Sequence, residues 1–466
     1  MKTEDRTAPH TEDPDPVAPR TGTRGDLIAV AGAVALVTAA VLIGQAIENA
    51  DHTLVVHWAP LLATWYPHIG PGTAAAPAVA VAVIAYGPAL AARLRWRALL
   101  FTGWAASLAW TFSLALIDGW GRGIAERLTT KHEYLRVIDR FDDIGAALRT
   151  FDSHILIGPP GNWPAHVAGH PPGATLTFVL LDRIGLGGGA WAGVWCIVVG
   201  GLAAVAALVA LRALADEDTA RRAAPFLVLA PVAVWAGTSA DGYFTAVAAW
   251  SVALLALAAR RTVRAPAVAA LGAGLLYGLS CYLSYGLTLI VMPLLAVLVL
   301  TRTARPLPLF LLGAVVVPVA FTVAGFDWWY AYRVLVERYY QGAGGIRPYG
   351  YWIWANLACT AVIIGPATVA GLRRGVAGAP GAVRGLRGGT TAAEGRLVLL
   401  ALAALLALLA ADLSGMSKAE TERIWQPFAL WLLPLGALLP AGTRRSWLAA
   451  QAALALAVNH LLWTGW

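Results

Sequence analysis

The stretch GAWAGVWCIVVGGLAAVAALVALRAL, residues 189–214, decides the class of fold. Arg212 is its single charged residue, and an apolar run of this length can cross the roughly 30 Å hydrocarbon core of a bilayer as a helix. Similar runs recur along the chain, which is 59% hydrophobic and only 13% charged, and no polar stretch is long enough for a separate soluble domain. The sequence therefore predicts an all-α integral membrane protein that crosses the bilayer many times.

Thirteen apolar runs are candidates for membrane spans. Several are shorter than the roughly 20 residues that a spanning helix needs, so we expect their boundaries to be approximate. Residues 1–25 mix proline, threonine and both signs of charge, which predicts a disordered cytoplasmic tail and not a cleavable signal sequence. The predicted spans are 26–47, 73–92, 98–118, 189–214, 224–238, 240–258, 266–283, 284–301, 307–325, 351–371, 396–413, 424–441 and 447–464.

Short basic clusters set the predicted orientation of the chain. RLRWR (93–97), RRTVR (260–264) and GTRR (442–445) alternate correctly with the spans, so the positive-inside rule predicts a cytoplasmic N-terminus and an extracytoplasmic C-terminus in the cell membrane. These loops account for much of the formal charge of +8, so we expect the lipid bilayer, and not nucleic acid, as the partner. All but one of the nine histidines fall on the predicted outer side, where polar chemistry would therefore concentrate.

The longest predicted outer segment, residues 119–188, contains an amphipathic pattern that predicts a helix lying on the membrane surface. Glu133 stands at its start, where the carboxylate could face a cleft between this loop and the membrane helices. Thr130 and Glu133 also fit a capping box, so Glu133 is either a helix cap or a catalytic residue. The apolar positions that share one face of the predicted helix are Tyr134, Val137, Ile138, Phe141, Ile144 and Leu148.

The stretch AGHPPGATLTF, residues 168–178, places two consecutive prolines before an apolar segment. Proline suits the first turn of a helix, where its missing N–H costs nothing, so a short helix is predicted over residues 173–185 at the membrane surface. His170 would then lie at a helix N-terminus, where the backbone dipole favours anions such as phosphate. A plain helix that begins at proline is the alternative.

The order of these features resembles the GT-C membrane glycosyltransferases: a span, an acidic residue beside tyrosine, a surface helix, His-Pro-Pro, a short apolar helix and a further span. The chain looks most like their protein-mannosyltransferase and aminoarabinose-transferase branch, over roughly residues 98–260. The resemblance implies two extra N-terminal spans at 26–97, a GT-C-like core at 98–325 and a C-terminal transmembrane region at 326–466.

By this resemblance, Glu133 occupies the catalytic-acid position, with Tyr134 behind it. The family often has Asp-Glu where this chain has His132 and Glu133. That departure leaves a second acid of the loop, Asp142 or Asp143, as an alternative base. Tyr134 and His132 are expected to contact the substrate.

The resemblance also implies roles for residues elsewhere in the chain. His170 occupies the His-Pro-Pro position of the family. Asp241, in GTSADGYF (237–244), matches a second outer acidic position, although a hydrated turn would also explain it. Arg423, in TERIWQPFALWLLP (421–434), looks like a late arginine of the family that could clamp a phosphate, or it could be an interfacial anchor.

The implied activity is inverting transfer of a sugar from a polyprenyl-phosphate donor to a hydroxyl of a glycan, lipid or protein acceptor, at the outer membrane surface. Glu133 would accept the hydroxyl proton, Asp241 would orient the acceptor or the sugar, and Arg423 with His170 would stabilise the departing phosphate. No firm cofactor is implied; a divalent cation is possible, but no acidic pair has a recognisable ligand spacing. The alternative is a secondary transporter or lipid flippase without transferase activity.

Overall fold

The computed structural model describes residues 22–158 and 160–465, and α-helices dominate it. The predicted tail at 1–25 lies mostly outside the described residues, but Thr23, Arg24 and Gly25 belong to the first helix. The α-helices are α1 (Thr23–Asp51), α2 (Gly72–Arg93), α3 (Trp96–Ala115), α4 (Ile144–Arg149), α5 (Ala165–Gly169), α6 (Pro172–Arg183), α7 (Gly189–Gly200), α8 (Leu202–Leu214), α9 (Glu217–Val228), α10 (Ala233–Ala236), α11 (Ala240–Arg260), α12 (Pro266–Leu283), α13 (Val291–Thr301), α14 (Leu307–Val323), α15 (Trp328–Gln341), α16 (Ala343–Ile346), α17 (Tyr349–Gly388), α18 (Ala393–Leu413), α19 (Thr421–Ile424), α20 (Gln426–Ala429) and α21 (Arg444–Leu461).

Shorter elements join these helices. Two strands, β1 (Ala63–Trp65) and β2 (Leu462–Thr464), pair in antiparallel register. A single turn of π-helix covers Gly121–Ala125. The 3₁₀ helices are Leu116–Asp118, Arg127–Thr129, Tyr134–Phe141, Asp152–His154, Tyr285–Ile290, Leu433–Leu438 and Ala441–Thr443.

Eight helices within the described ranges are long and apolar enough to cross a membrane, which confirms an all-α, multi-pass membrane protein. A ninth is added if α14 and α15, which meet at a bend of 78°, count as one span. The predicted count of thirteen is therefore not confirmed. The eight are Thr23–Asp51, Gly72–Arg93, Trp96–Asp118, Gly189–Leu214, Ala240–Arg260, Pro266–Leu283, Tyr349–Gly388 and Ala393–Leu413.

Two predicted spans are broken in the structure, and proline is the physical reason in both. In the region 224–238, α9 ends at Val228, before Pro231, and the helix that follows is a single turn. In the region 424–441, Pro427 and Pro434 each lie in the first turn of a short helix and cannot donate to a preceding turn. The chain around Trp431 is almost completely buried, so this apolar segment packs inside the protein and not against lipid.

The bundle is built around α11. This helix packs against α7, α8, α12 and α13, and most of its residues are buried. At its first turn the Ser239 hydroxyl accepts the N–H of Asp241, which fixes where the helix begins. Helix α1 packs against α17, and α2 packs against α3 and α9. The first two helices are thus parts of the same bundle, and the predicted division at residues 97 and 325 stays a prediction.

The segment 119–188 forms a layer over the N-terminal end of α11. The predicted surface helix has the expected buried face at Tyr134, Val137 and Phe141, but it is a 3₁₀ helix over Tyr134–Phe141 and not an α-helix. With three residues per turn, Tyr134 and Val137 fall on the same side. Asp143 then starts α4 by accepting the N–H of Ala146, so the predicted single helix is two. The predicted helix after the prolines is confirmed as α6, with Pro172 in its first turn.

Strand β2 closes this layer from the other end of the sequence. It pairs with β1 so that Ala63 faces Thr464 and Trp65 faces Leu462. The Trp463 ring stacks on Tyr66 with 4.4 Å between ring centroids. The segment after α1, the segment 119–188 and the end of α21 therefore meet at one end of the bundle, as the predicted topology requires. The orientation of this end relative to the membrane stays a prediction.

Candidate functional site

The carboxylate of Glu133 is buried beneath the 119–188 layer. The residue is 4% exposed, and His166 Nδ1 lies 2.9 Å from Glu133 Oε1. Among the described residues, the Glu133 side chain makes no capping hydrogen bond, and its second oxygen, Oε2, is buried without a hydrogen-bond partner. The capping-box interpretation with Thr130 is therefore wrong. The carboxylate is held at one oxygen and leaves a strong acceptor unused at the other.

His166 reaches Glu133 because α5 folds back over the start of the 3₁₀ helix. The backbone N–H of His166 donates to the carbonyl of His132 at 3.0 Å, which ties α5 to the residue before Glu133. The side chain of His132 is exposed, so this residue contributes to the site through its backbone. An imidazole N–H that donates to a carboxylate fixes the rotamer of both groups, so His166 orients Glu133.

Tyr134 and His170 form a second buried contact behind Glu133. Nδ1 of His170 lies 2.7 Å from the carbonyl oxygen of His166 and 3.2 Å from the Tyr134 hydroxyl. Because a carbonyl oxygen only accepts, Nδ1 carries the hydrogen. Burial lowers the pKa of His170 to about 4, so its ring is neutral at physiological pH. His170 thus connects the start of α6 to Tyr134. Because its ring is neutral, it carries no positive charge that would stabilise an anion.

Arg423 stands opposite Glu133 and belongs to a buried chain of alternating charges. Its guanidinium pairs with Asp241 in the first turn of α11, and each of these side chains is 5% exposed. Its Nη2 also lies 3.3 Å from Glu420 Oε2, while the other oxygen of Glu420 pairs with Arg347 at 3.3 Å. Burial acts to raise the pKa of Glu420, but Arg423 and then Arg347 outweigh it and hold that pKa below its usual value. Arg423 is therefore not an interfacial anchor.

A third charged group comes from the start of the 119–188 segment. Arg127 Nη2 lies 3.2 Å from Asp118 Oδ2, and the other oxygen of Asp118 lies 2.7 Å from His68 Nε2. Arg127 also donates to the backbone carbonyl of Thr464 in β2. This group was not predicted from the sequence. The sequence feature that could have indicated this group is Asp118 at the end of a predicted span, followed by two arginines in GWGRGIAER (119–127).

Members of these groups line a small, narrow cleft between the 119–188 layer and the start of α11. Of the predicted site residues, Glu133, Tyr134 and Arg423 line it directly. Asp241 and His170 lie behind the wall, since Asp241 holds Arg423 and His170 holds Tyr134. The unpredicted members that line the cleft are Arg127, Leu128, His166, Thr238, Ser239 and Ala240.

The two alternative bases lie elsewhere. Asp142 and Asp143 are exposed, and the Asp143 carboxylate is occupied as the cap of α4. As for a metal, residues 22–158 and 160–465 contain no group of three or more His, Cys, Asp or Glu side chains that could hold one. The divalent cation that the sequence left possible therefore stays a prediction.

The fold and this buried polar cleft define a multi-pass membrane protein with a buried, half-partnered carboxylate at one end of its bundle. The chain matches no protein-family model and no curated protein. It is similar to the crystal structure of an oligosaccharyltransferase from Archaeoglobus fulgidus, in complex with Zn and sulfate, with 14% sequence identity and a TM-score of 0.43. The match covers 73% of this chain and 50% of that chain, so this chain spans about half the length of that structure. A similarity this low does not establish a shared activity.

Proposed function

We propose that this protein is a membrane glycosyltransferase of the GT-C class that transfers a sugar from a polyprenyl-phosphate donor to an acceptor hydroxyl. The observation that supports the proposal best is the state of Glu133. One carboxylate oxygen is held by His166 at 2.9 Å, and the other is buried at the cleft without a partner in the described part of the chain. A buried acceptor left unused costs free energy, and such groups in a cleft are candidates for proton transfer.

The proposed step is a single displacement at the anomeric carbon of the sugar. The acceptor hydroxyl oxygen forms a bond to this carbon while its proton passes to Oε2 of Glu133. The bond from the anomeric carbon to the phosphate oxygen breaks, and its electron pair leaves with the lipid phosphate. Attack from the face opposite the leaving group inverts the anomeric centre. His166 keeps Oε1 occupied, so Oε2 is the oxygen that accepts the proton.

Arg423 supplies positive charge across the cleft from Glu133. A developing phosphate dianion needs donors that are already in place, because donors that must reorient during the reaction cost free energy. Asp241 and Glu420 fix the guanidinium of Arg423 from two sides. We propose that Asp241 acts through Arg423 as a positioning residue, and that Tyr134 forms part of the sugar-binding wall.

The cleft lies at the end of the bundle that the basic clusters predict to be extracytoplasmic. A donor with its chain in the bilayer would bring its phosphate and sugar to this level. We therefore place the reaction at the outer surface of the cell membrane, with a glycan, lipid or protein as acceptor. The sugars carried by the resembling branch, mannose and aminoarabinose, are the first donors to test.

The proposal is tested by sugar transfer in membranes that contain the full chain. Radiolabelled polyprenyl-phosphate sugars, mannose and aminoarabinose among them, are supplied to wild type and to Glu133→Gln at matched protein levels. We expect Glu133→Gln to lose about 10²- to 10⁴-fold in rate, since an amide cannot accept the proton. The matched control is Glu337→Gln, because Glu337 is an exposed acid on α15. A parallel series with EDTA measures any cation requirement.

Three results would contradict the proposal. Wild-type membranes that transfer no more label than empty membranes, across all the donors, would favour the transporter or flippase. Glu133→Gln that transfers as fast as Glu337→Gln would remove Glu133 as the base. Retention of the anomeric configuration in the product would contradict the single displacement.

A further inference from the structure

Two arginines at the start of the 119–188 segment share one backbone carbonyl, and one of them pairs with a carboxylate. Arg127 Nη2 lies 3.2 Å from Asp118 Oδ2. Arg122 Nη2 donates at 3.2 Å, and Arg127 Nη1 at 3.3 Å, to the same backbone carbonyl of Thr464. The other oxygen of Asp118, Oδ1, lies 2.7 Å from Nε2 of His68. A carbonyl carries only a partial charge, so the ion pair with Asp118 is the one full negative charge bonded directly to these two guanidinium groups in the described part of the chain.

The pair also has unused hydrogen-bond donors. Nε of Arg122 and Nε of Arg127 are both buried, and neither has a hydrogen-bond partner within residues 22–158 and 160–465. The side chain of Arg127 is only 9% exposed. Burial lowers the pKa of Arg127 to about 10, against the opposing effect of Asp118, so the group is still a cation at neutral pH. A buried cation with an unused N–H is stabilised by an anion that accepts from it.

The position of the pair connects it to the cleft. Arg127 lines the cleft together with Glu133. Arg122 lies 3.5 Å from the centre of the Trp463 ring, which also stacks on the ring of Tyr66. The two arginines are therefore held in place near the cleft that the proposed base lines. Groups that stabilise a developing negative charge need to be fixed in this way before the reaction.

Arg423 differs from this pair in its charge balance. Its single guanidinium is paired with two carboxylates, those of Asp241 and Glu420. Of Arg122 and Arg127, only Arg127 forms an ion pair with a carboxylate of the described residues, that of Asp118. The excess of positive charge at the cleft thus lies on the side of Arg127.

We propose that Arg122 and Arg127 bind the phosphate of a lipid phosphate at the cleft. This rests on the proposed function: the phosphate is the diester of the sugar donor before transfer and the monoester of the lipid product after it. As the bond between the anomeric carbon and the phosphate oxygen breaks, the phosphate gains the electron pair and its negative charge grows. The two guanidinium groups stabilise that charge. Arg423 lines the same cleft as Arg127, and its positive charge adds to theirs.

Binding of the reaction product tests the proposal without any turnover. The purified full chain in detergent is titrated with a ten-carbon prenyl phosphate, with the prenyl alcohol of the same length, and with inorganic phosphate. We expect wild type to bind the prenyl phosphate at least about tenfold more tightly than the alcohol, which is what one charge-assisted hydrogen bond supplies. Arg127→Gln and Arg122→Gln should each lose this preference. Inorganic phosphate that binds as tightly, with the same dependence on Arg127, would identify free phosphate as the ligand.

Arg136→Gln is the matched control, because Arg136 is an exposed arginine of the same segment. It should bind the prenyl phosphate as wild type does. If Arg127→Gln does not elute as a folded protein, Arg127→Lys and Arg122→Gln decide the outcome. Equal affinity of wild type for the phosphate and the alcohol, or unchanged affinity in the folded arginine variants, would overturn the proposal. The binding assay involves no turnover, so a failure of the transfer assay and a failure of this binding assay can be told apart.

Discussion

Removing Arg423 should destabilise the protein more than removing its partner Asp241. Both side chains are 5% exposed, and loss of one member of a buried ion pair costs about 3–5 kcal/mol because the other charge stays behind unpaired. Arg423→Gln leaves Asp241 with the Ser239 hydroxyl at 3.4 Å, so we expect the full cost. Asp241→Asn leaves Arg423 paired with Glu420 at 3.3 Å, so we expect a smaller cost of about 1–3 kcal/mol.

The free energy of unfolding can be measured by SDS titration, with the fluorescence of the 20 tryptophans as the signal. The double variant Asp241→Asn/Arg423→Gln should cost less than the sum of the two single variants, by about 0.5–3 kcal/mol. Asp139→Asn and Arg333→Gln, at exposed positions, should each change stability by less than about 0.5 kcal/mol. If Asp241→Asn costs as much as Arg423→Gln, or if the two single costs simply add, the shared pairing of Arg423 is refuted.

Three further predictions concern pH and packing. Burial raises the pKa of Glu422, whose carboxyl accepts the Leu62 N–H, from 4.5 to about 7. The folded protein therefore loses stability as pH rises from 4.5 through 7, because the buried carboxyl must ionise. Relative to Glu422→Gln, the free energy of unfolding of wild type should fall by roughly 3 kcal/mol over this range. The lowered pKa of His170 gives a pH dependence of stability in the opposite direction. In the same SDS titration, the stability of wild type relative to His170→Gln should fall as pH drops from 6.5 towards 4. Gly274→Val should cost about 1–3 kcal/mol or more, because a side chain there meets the backbone of α14, whereas Gly32→Val in α1 meets nothing within 4 Å and should be tolerated.

The class of fold could be predicted because hydropathy is a local property of the sequence. The same property explains the errors in the number of spans. Trp431 and Leu432 are apolar residues that lie buried within the protein. A hydropathy pattern does not distinguish residues that face a protein interior from residues that face lipid. The prolines at 427 and 434 were the available evidence that this segment is not one helix.

The site could be predicted only in part, since its contacts join distant parts of the chain. Glu133 was correctly placed at the start of an amphipathic segment, and its burial followed from that placement. Its partner His166 depends on how α5 folds back, which no spacing in the sequence shows. Arg127 reaches a carbonyl that lies 337 positions further along the chain. Pairings of this kind follow from tertiary structure, and a sequence pattern does not contain them.

The pairing of β1 with β2 has a consequence for the order of assembly during synthesis. A membrane protein is inserted as it is translated, and its segments can pair only after both have emerged. The carbonyl of Thr464 that receives Arg122 and Arg127 is delivered after α21, the last helix of the described chain. Glu133 and its loop are therefore in place long before this part of the cleft is complete. A nascent chain that has not yet inserted α21 lacks the carbonyl that holds Arg122 and Arg127, so the proposed anion site would form only when synthesis has reached the end of this helix.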